Sequence, residues 1–102
     1  MNISINAIHF RASSSLIFFV ENRINALKKF NSRIESASIH LRLENDCEKN
    51  NKVSEICVHL PGRDLVVKKR AKTFEKSLSS AQLTIGRLLS RSNRKAKTLK
   101  KH

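Results

Sequence analysis

The sequence predicts an α+β fold, a βαβββα two-layer sandwich in which a four-stranded sheet carries two helices on one face. Three observations predict it. Four segments alternate apolar and polar residues with the period of two that is typical of a half-buried strand. Two longer segments repeat apolar residues at helical spacing. Apolar residues make up 39% of the 102 residues, and Gly and Pro number only two and one, which is typical of a single folded domain.

The first part of the chain predicts a strand followed by a helix. Residues 2–9 alternate apolar and polar side chains, and Ser13 is a suitable N-cap for the helical run that follows. The apolar stripe of this helix is Leu16, Phe19, Val20, Ile24, Leu27 and Phe30. Residues 31–32 are expected to end the helix. Because a strand-helix-strand connection crosses over with a right hand, the first two strands are predicted to be parallel.

Three further strands are predicted to be joined by hairpins and therefore to be antiparallel. Residues 37–43 alternate clearly, and the polar residues 45–51 are interpreted as a loose loop. The inward positions of the last two strands are Ile56, Val58, Leu60, Leu65 and Val67. Between these two strands, residues 61–64 carry a turn signal in which Pro is followed by Gly.

A second helix closes the predicted fold, with Thr73 as its cap. Its buried stripe is Phe74, Leu78, Ala81, Gln82, Ile85 and Leu89. Beyond Ser92 the apolar pattern fades. We therefore expect one βαβββα domain over residues 1–95 and a basic, frayed tail over residues 96–102.

Positive charge is the strongest indication of a partner. Lys and Arg total 21 against 8 Asp and Glu, a formal net charge of +13, and no acidic residue follows Glu75. Such a balance indicates nucleic acid, an anionic membrane surface or an acidic protein. The basic positions on the outer helix faces and just before the tail are Lys28, Lys29, Lys76, Arg87, Arg91, Arg94 and Lys95. Arginines one helical turn apart, about 5–6 Å, match the spacing of phosphates and can hold them bidentately.

Other functions have less support in the sequence. No phosphate loop, catalytic triad or paired carboxylates can be found, so we expect no enzyme activity and no cofactor. His40, Cys57 and His59 are predicted on the outer sheet face, where we favour ordinary surface residues over a metal site. The cysteines form no CxxC, and no signal peptide or membrane span is seen, which favours the cytoplasm. The outer sheet face lacks the aromatic residues of an RNA recognition motif.

Taken from residue 2 to the end, the chain resembles the short form of the ribosome hibernation promoting factor and ribosome-associated inhibitor family. The similarity is spread over all six elements. It lies in residues 2–5, 41–44, 58–62 and 64–65, in Leu16, Phe19, Val20, Arg23, Leu27 and Phe30 of the first helix, in Arg33 and Ile34, which follow that helix without a gap, and in Ile85, Arg87, Leu89 and the Lys-rich end.

The resemblance implies the same βαβββα fold and a bacterial stress-response protein of stationary phase. It implies binding to the rRNA of the small ribosomal subunit, also within the 70S ribosome, in the channel shared by messenger RNA and transfer RNA. Such a protein silences idle ribosomes and can favour their pairing. The family's basic positions correspond to Arg23, Lys29, Arg87, Arg91 and Lys95. Together with the charged faces, the predicted RNA-binding residues are Arg23, Lys28, Lys29, Lys76, Arg87, Arg91, Arg94 and Lys95.

Two alternatives remain open from the sequence. One is a general double-stranded-RNA-binding protein or RNA chaperone, and the other is a protein-interaction regulator of transcription. Neither a small-molecule substrate nor a membrane is expected as a partner.

Overall fold

The computed structural model describes residues 2–44 and 51–100, with side chains described as far as Arg91. The elements are β1 (Asn2–Ile8), α1 (Ser14–Asn25), a 3-10 turn (Ala26–Lys29), β2 (Ser36–Leu43), β3 (Lys52–Leu60), β4 (Arg63–Ala71) and α2 (Phe74–Lys100). This order confirms the predicted α+β class. Most of the loop predicted at 45–51 lies outside the described residues. α2 is helical to Lys100, whereas its last residues were expected to fray. The boundary between a domain over residues 1–95 and a tail over residues 96–102 stays a prediction.

The four strands form one sheet in the order β1-β2-β3-β4. β1 runs parallel to β2, and the other two pairs are antiparallel, which confirms both predicted relations. Leu60 and Arg63 are paired across the β3–β4 hairpin, so only two residues form its loop. Gly62 has a φ of 81°, a conformation that glycine adopts without a Cβ clash, and the turn predicted there is present.

Both helices cover the same face of the sheet and bury its alternate residues. The fully buried large side chains of this core include Val20, Ile24, Leu27, Ile39, Leu41, Ile56, Val58, Leu78, Ile85 and Leu89. On β3, Ile56 and Val58 are fully buried while the intervening Cys57 is half-buried on the outer face, as the alternation predicts.

The predicted stripe of the first helix is wrong at its last position. Phe30 is 41% exposed instead of buried. The α-helix ends at Asn25 and continues as a 3-10 turn. A 3-10 turn advances about 120° per residue instead of 100°, so positions beyond it leave the line of the α-helical stripe. The ring of Phe30 therefore lies against Gly86 of α2 instead of entering the core.

Hydroxyl groups fix the start of each helix. Ser13 Oγ accepts a hydrogen bond from the backbone N–H of Leu16, and Thr73 Oγ1 accepts one from Lys76, each over 3.1 Å. Each cap of this kind stabilises its helix by about 1 kcal/mol. Both predicted caps are thus confirmed, and they set where the basic residues of each helix fall.

Candidate nucleic-acid interface

A groove of about 610 Å³ runs between α1 and α2. We call it the inter-helix groove, and its lining residues are Arg23, Phe30, Ser79, Gln82, Leu83, Gly86, Arg87, Ser90 and Arg91. The groove follows from how α2 packs: its apolar stripe faces the sheet, so the positions beside that stripe turn towards α1.

Three of the predicted RNA-binding residues meet in this groove. Arg23 comes from α1, while Arg87 and Arg91 lie one turn apart on α2, and all three are exposed. Among the side chains that the structure describes, none of the three forms an ion pair. Their charges are therefore available to an anion, and the groove presents them from two sides.

Arg23 is held in place by two contacts. Its guanidinium carbon lies 5.0 Å from the centroid of the Phe19 ring, within the range of a cation–π interaction. Its backbone carbonyl accepts a hydrogen bond of 3.0 Å from the side-chain amide of Gln82. The first contact orders the charged head, and the second ties the helix that carries it to α2.

Phe30 gives the groove an aromatic surface. The Phe30 ring lies against α2 because residue 86 has no side chain: a Cβ there would lie 3.2 Å from Phe30 Cε2. Leu83, 66% exposed, adds an apolar rim. Cationic side chains beside an exposed aromatic face are the combination with which proteins bind nucleic-acid backbones and unstacked bases.

Sequence reasoning missed six of the residues that line the groove: Phe30, Ser79, Gln82, Leu83, Gly86 and Ser90. The helical spacing of apolar residues predicts Phe30 and Gln82 in buried stripes, and it gives no signal for the solvent-exposed Leu83. Gly86 carried a usable signal, since a lone glycine inside a helical pattern usually has a packing reason.

The remaining predicted residues are placed differently. Lys28 and Lys29 are exposed on the 3-10 turn, and Lys76 is exposed on the first turn of α2; none of the three lines the inter-helix groove. They widen the basic surface without joining the groove. The side chains of Arg94 and Lys95 lie outside the described part of the chain, so their role stays a prediction.

On the outer face of the sheet, by contrast, charges neutralise one another. Glu44 lies 3.1 Å from both Arg42 and Lys68 and also pairs with Arg70, while Glu55 lies 3.4 Å from Arg42. The hydrogen bond from Arg42 and then that from Lys68 hold the pKa of Glu44 below its ordinary value. Within the described residues, carboxylates thus neutralise cations of the sheet face, whereas the three groove arginines have no such partner. The electrostatic field of the protein should therefore draw an anionic partner to the helix layer.

At the other end of the outer sheet face, the structure groups different possible metal ligands from the His40, Cys57 and His59 named from the sequence. Cys57 and His59 do lie close together, but the third member is Asp64 instead of His40. His40 is paired with Glu55 in the sheet register, further along β3. Burial raises the pKa of the Cys57 thiol, and the charges of Asp64 and Glu55 raise it further, which disfavours a free thiolate nucleophile.

Neither described helix combines the length and apolar character that crossing a bilayer requires.

Comparison with solved structures confirms the fold. A ribosomal subunit interface protein from Coxiella burnetii superposes with a TM-score of 0.81 at 17% identity, over 92% of this chain and 99% of that chain. The N-terminal domain of Protein Y from Thermus thermophilus gives 0.76 at 20% identity, over 89% and 98% of the two chains. No curated protein matches the chain in sequence.

A family model, Sigma 54 modulation protein / S30EA ribosomal protein, matches residues 3–97. The chain belongs to this family, which confirms the resemblance found in the sequence. Membership indicates a ribosome-associated modulation factor, a non-enzymatic kind of protein.

Proposed function

We propose that this protein silences idle ribosomes by occupying the messenger- and transfer-RNA channel of the small subunit in the bacterial cytoplasm. The observation that carries the proposal is the convergence of Arg23, Arg87 and Arg91 on one groove, without an ion pair among the described residues. Family membership supplies the ribosome as the partner, and the similar protein from Coxiella burnetii is a ribosomal subunit interface protein by name.

Binding would be electrostatic and directed by shape. Arg87 and Arg91, about 6 Å apart along the helix, can each take one phosphate of the same strand. Arg23 would approach from the other side of the groove, so the three together fit a folded backbone better than an extended strand. A net charge of +13 would speed the encounter with rRNA.

Inhibition would then need no chemical step. A folded domain seated in the channel excludes messenger RNA and transfer RNA by volume, and its affinity sets how completely it does so. Release of counterions from rRNA would supply much of that affinity, which makes the inhibition sensitive to salt. Pairing of silenced ribosomes is a further consequence that sedimentation would reveal.

A general RNA-binding protein is the second candidate, and one observation favours it. The side-chain amide of Gln82, the amide best placed in the groove to read a base, already donates a hydrogen bond to Arg23. The groove therefore offers phosphate contacts and an aromatic face more than sequence readout, and these would also suit other folded RNA.

Sedimentation and competition experiments distinguish the ribosome-silencing protein from the general RNA-binding protein. The purified protein is mixed with separated small and large subunits and with 70S ribosomes, and each mixture is run on a sucrose gradient. The proposal expects co-sedimentation with small subunits and 70S ribosomes, and displacement by messenger RNA with transfer RNA. An equal concentration of naked duplex RNA should not displace it. Equal competition by the duplex would favour the general RNA-binding protein, and no association with small subunits at low salt would refute the proposal.

A further inference from the structure

Three side chains that could bind a metal ion lie at the hairpin end of the outer sheet face. Cys57 Sγ is 4.0 Å from His59 Nε2, and His59 Nδ1 is 2.8 Å from Asp64 Oδ1. One ligand atom from each of the three residues lies within 4.8 Å of the others. The three are half-buried or exposed, so an ion can reach them from solvent. The inter-helix groove does not use any of them.

The backbone brings the three together without strain. Cys57 and His59 are two residues apart on β3 and therefore point to the same face of the sheet. Asp64 is the direct partner of His59 in the β3–β4 register. That register follows from the two-residue loop at Pro61 and Gly62, so the turn that closes the hairpin also sets this contact.

His59 is oriented as a metal ligand would be. With a proton on Nδ1, the ring donates to the Asp64 carboxylate, and the lone pair on Nε2 faces the sulfur of Cys57. A carboxylate that fixes the far nitrogen of a histidine in this way is the usual companion of a metal-bound imidazole. Asp64 is also one of only 8 acidic residues in a chain with 21 Lys and Arg. Within the described residues, its ion pair is nevertheless with His59 and not with a lysine or arginine.

We propose that Cys57 and His59 bind a borderline-soft divalent cation of the Zn²⁺ class, with Asp64 as the residue that orients His59. Zinc lies about 2.3 Å from sulfur and about 2.0–2.1 Å from an imidazole nitrogen. The separation of 4.0 Å between Sγ and Nε2 therefore accommodates an ion at an S–Zn–N angle of about 135°. Small side-chain rotations would bring this angle towards the tetrahedral value, and water would complete the coordination.

Binding has a simple proton balance. The neutral thiol of Cys57 gives up its proton to solvent as the sulfur–metal bond forms, while the imidazole keeps its proton on Nδ1. No redox partner is needed. Since a ligand that binds only the folded state stabilises it, the ion should raise the melting temperature by bracing the β3–β4 hairpin.

The site lies on the sheet face opposite to the helix layer, so its occupation should leave ribosome binding unchanged. The proposal is thus independent of the function proposed above, and either can fail without the other.

Zinc and cobalt titrations of the full chain test the site. The protein is used without an affinity tag, reduced and metal-free, and with Cys47→Ser because Cys47 is the second thiol of the chain. We expect one equivalent of Zn²⁺ by calorimetry, a raised melting temperature, and a thiolate-to-cobalt charge-transfer band with Co²⁺. Cys57→Ser should abolish the band and the stabilisation. Asp64→Asn should weaken binding about 10–100-fold while circular dichroism stays unchanged.

His40→Ala is the matched control, since His40 lies on the same sheet face outside the cluster. It should bind as the parent does. The proposal is overturned if no saturable binding occurs, if Cys57→Ser keeps full affinity, or if His40→Ala loses as much affinity as Asp64→Asn, which would indicate adventitious binding to surface histidines.

Discussion

The side-chain amide of Gln82 donates a hydrogen bond to the backbone carbonyl of Arg23, 3.0 Å away and 59 residues apart in the chain. Arg23 lies in the last turn of α1, where backbone carbonyls begin to lack partners within the helix. A residue of α2 thus supplies the missing donor. The same bond sets the position of the Arg23 side chain relative to the arginines of α2.

Removing this donor should loosen the groove. Gln82→Ala is expected to lower the free energy of unfolding by about 0.5–1.5 kcal/mol, the usual net contribution of one hydrogen bond. It should also weaken small-subunit binding, because Arg23 would no longer be held in register with α2. Urea denaturation and a binding assay measure the two effects. Ser80→Ala, at an exposed position of the same helix, should change neither; equal losses in both variants would contradict this role of Gln82.

A buried pair of hydroxyl groups joins the sheet to α2. Ser77 Oγ donates to the carbonyl of Phe74 over 3.1 Å and lies 2.7 Å from Ser54 Oγ, and both serines are fully buried. Ser77→Ala would leave the Ser54 hydroxyl without an acceptor, at a cost of about 1–3 kcal/mol. Ser54→Ala should cost less, because Ser77 keeps its bond to Phe74.

A double-mutant cycle measures the coupling between these serines. The variant that lacks both hydroxyls should lose clearly less free energy of unfolding than the sum of the single variants. Strict additivity would show that the two groups do not depend on one another.

Acid should weaken the ion pairs on the outer sheet face. The pKa of Glu44 is lowered in the folded protein by its hydrogen bonds from Arg42 and Lys68. A lowered folded-state pKa adds stability at pH values above the ordinary glutamate range and loses it as pH falls through the folded value. Glu44→Gln should therefore reduce stability at neutral pH, with a difference that vanishes in acid.

Thermal unfolding of the parent and of Glu44→Gln, followed from neutral pH into acid, measures this difference in stability. Glu21→Gln is its control, since Glu21 is exposed on α1 and forms no ion pair among the described residues. A difference between parent and Glu44→Gln that stayed constant down to low pH would rule out the charge as its cause.

Phe30 tests whether the groove also accepts a base. Stacking of one base on an aromatic ring contributes about 1–3 kcal/mol to binding. Phe30→Ala should therefore weaken small-subunit binding by at least about 1 kcal/mol. Its effect on the free energy of unfolding should be smaller than for a core residue, because the Phe30 side chain is 41% exposed. Phe18→Ala is matched to it, since Phe18 is 67% exposed on α1 and does not line the groove. Equal losses of affinity in the two variants would exclude a specific stacking role.

Much of the fold could be predicted because its signals are local. Alternation in the strands and the cap residues Ser13 and Thr73 depend on neighbours a few positions away, and the structure bears them out. The grouping of Arg87 and Arg91 follows from helical spacing alone. Position 30 was predicted wrongly, because residues 26–29 contain no glycine or proline that would signal the change from α-helix to 3-10 turn.

Contacts between distant segments were harder to foresee. The groove depends on the packing of two helices, which no single stripe specifies. The cross-strand contact of His59 with Asp64 depends on hairpin register, and that register instead places His40 opposite Glu55. If the predicted turn is taken as a two-residue loop at residues 61–62, the hairpin register pairs His59 with Asp64 and predicts this contact.

The central claim is that RNA binding depends on where the charges lie and not on their number. Two variants of equal net charge test it: Arg87→Gln with Arg91→Gln in the groove, and Lys68→Gln with Arg70→Gln on the outer sheet face. Small-subunit affinity is measured for each over a series of salt concentrations. We predict that the groove variant loses affinity strongly and lowers the slope of log affinity against log salt by about two, one per phosphate contact. The sheet variant should bind nearly as the parent does, and equal losses in both variants would contradict the account.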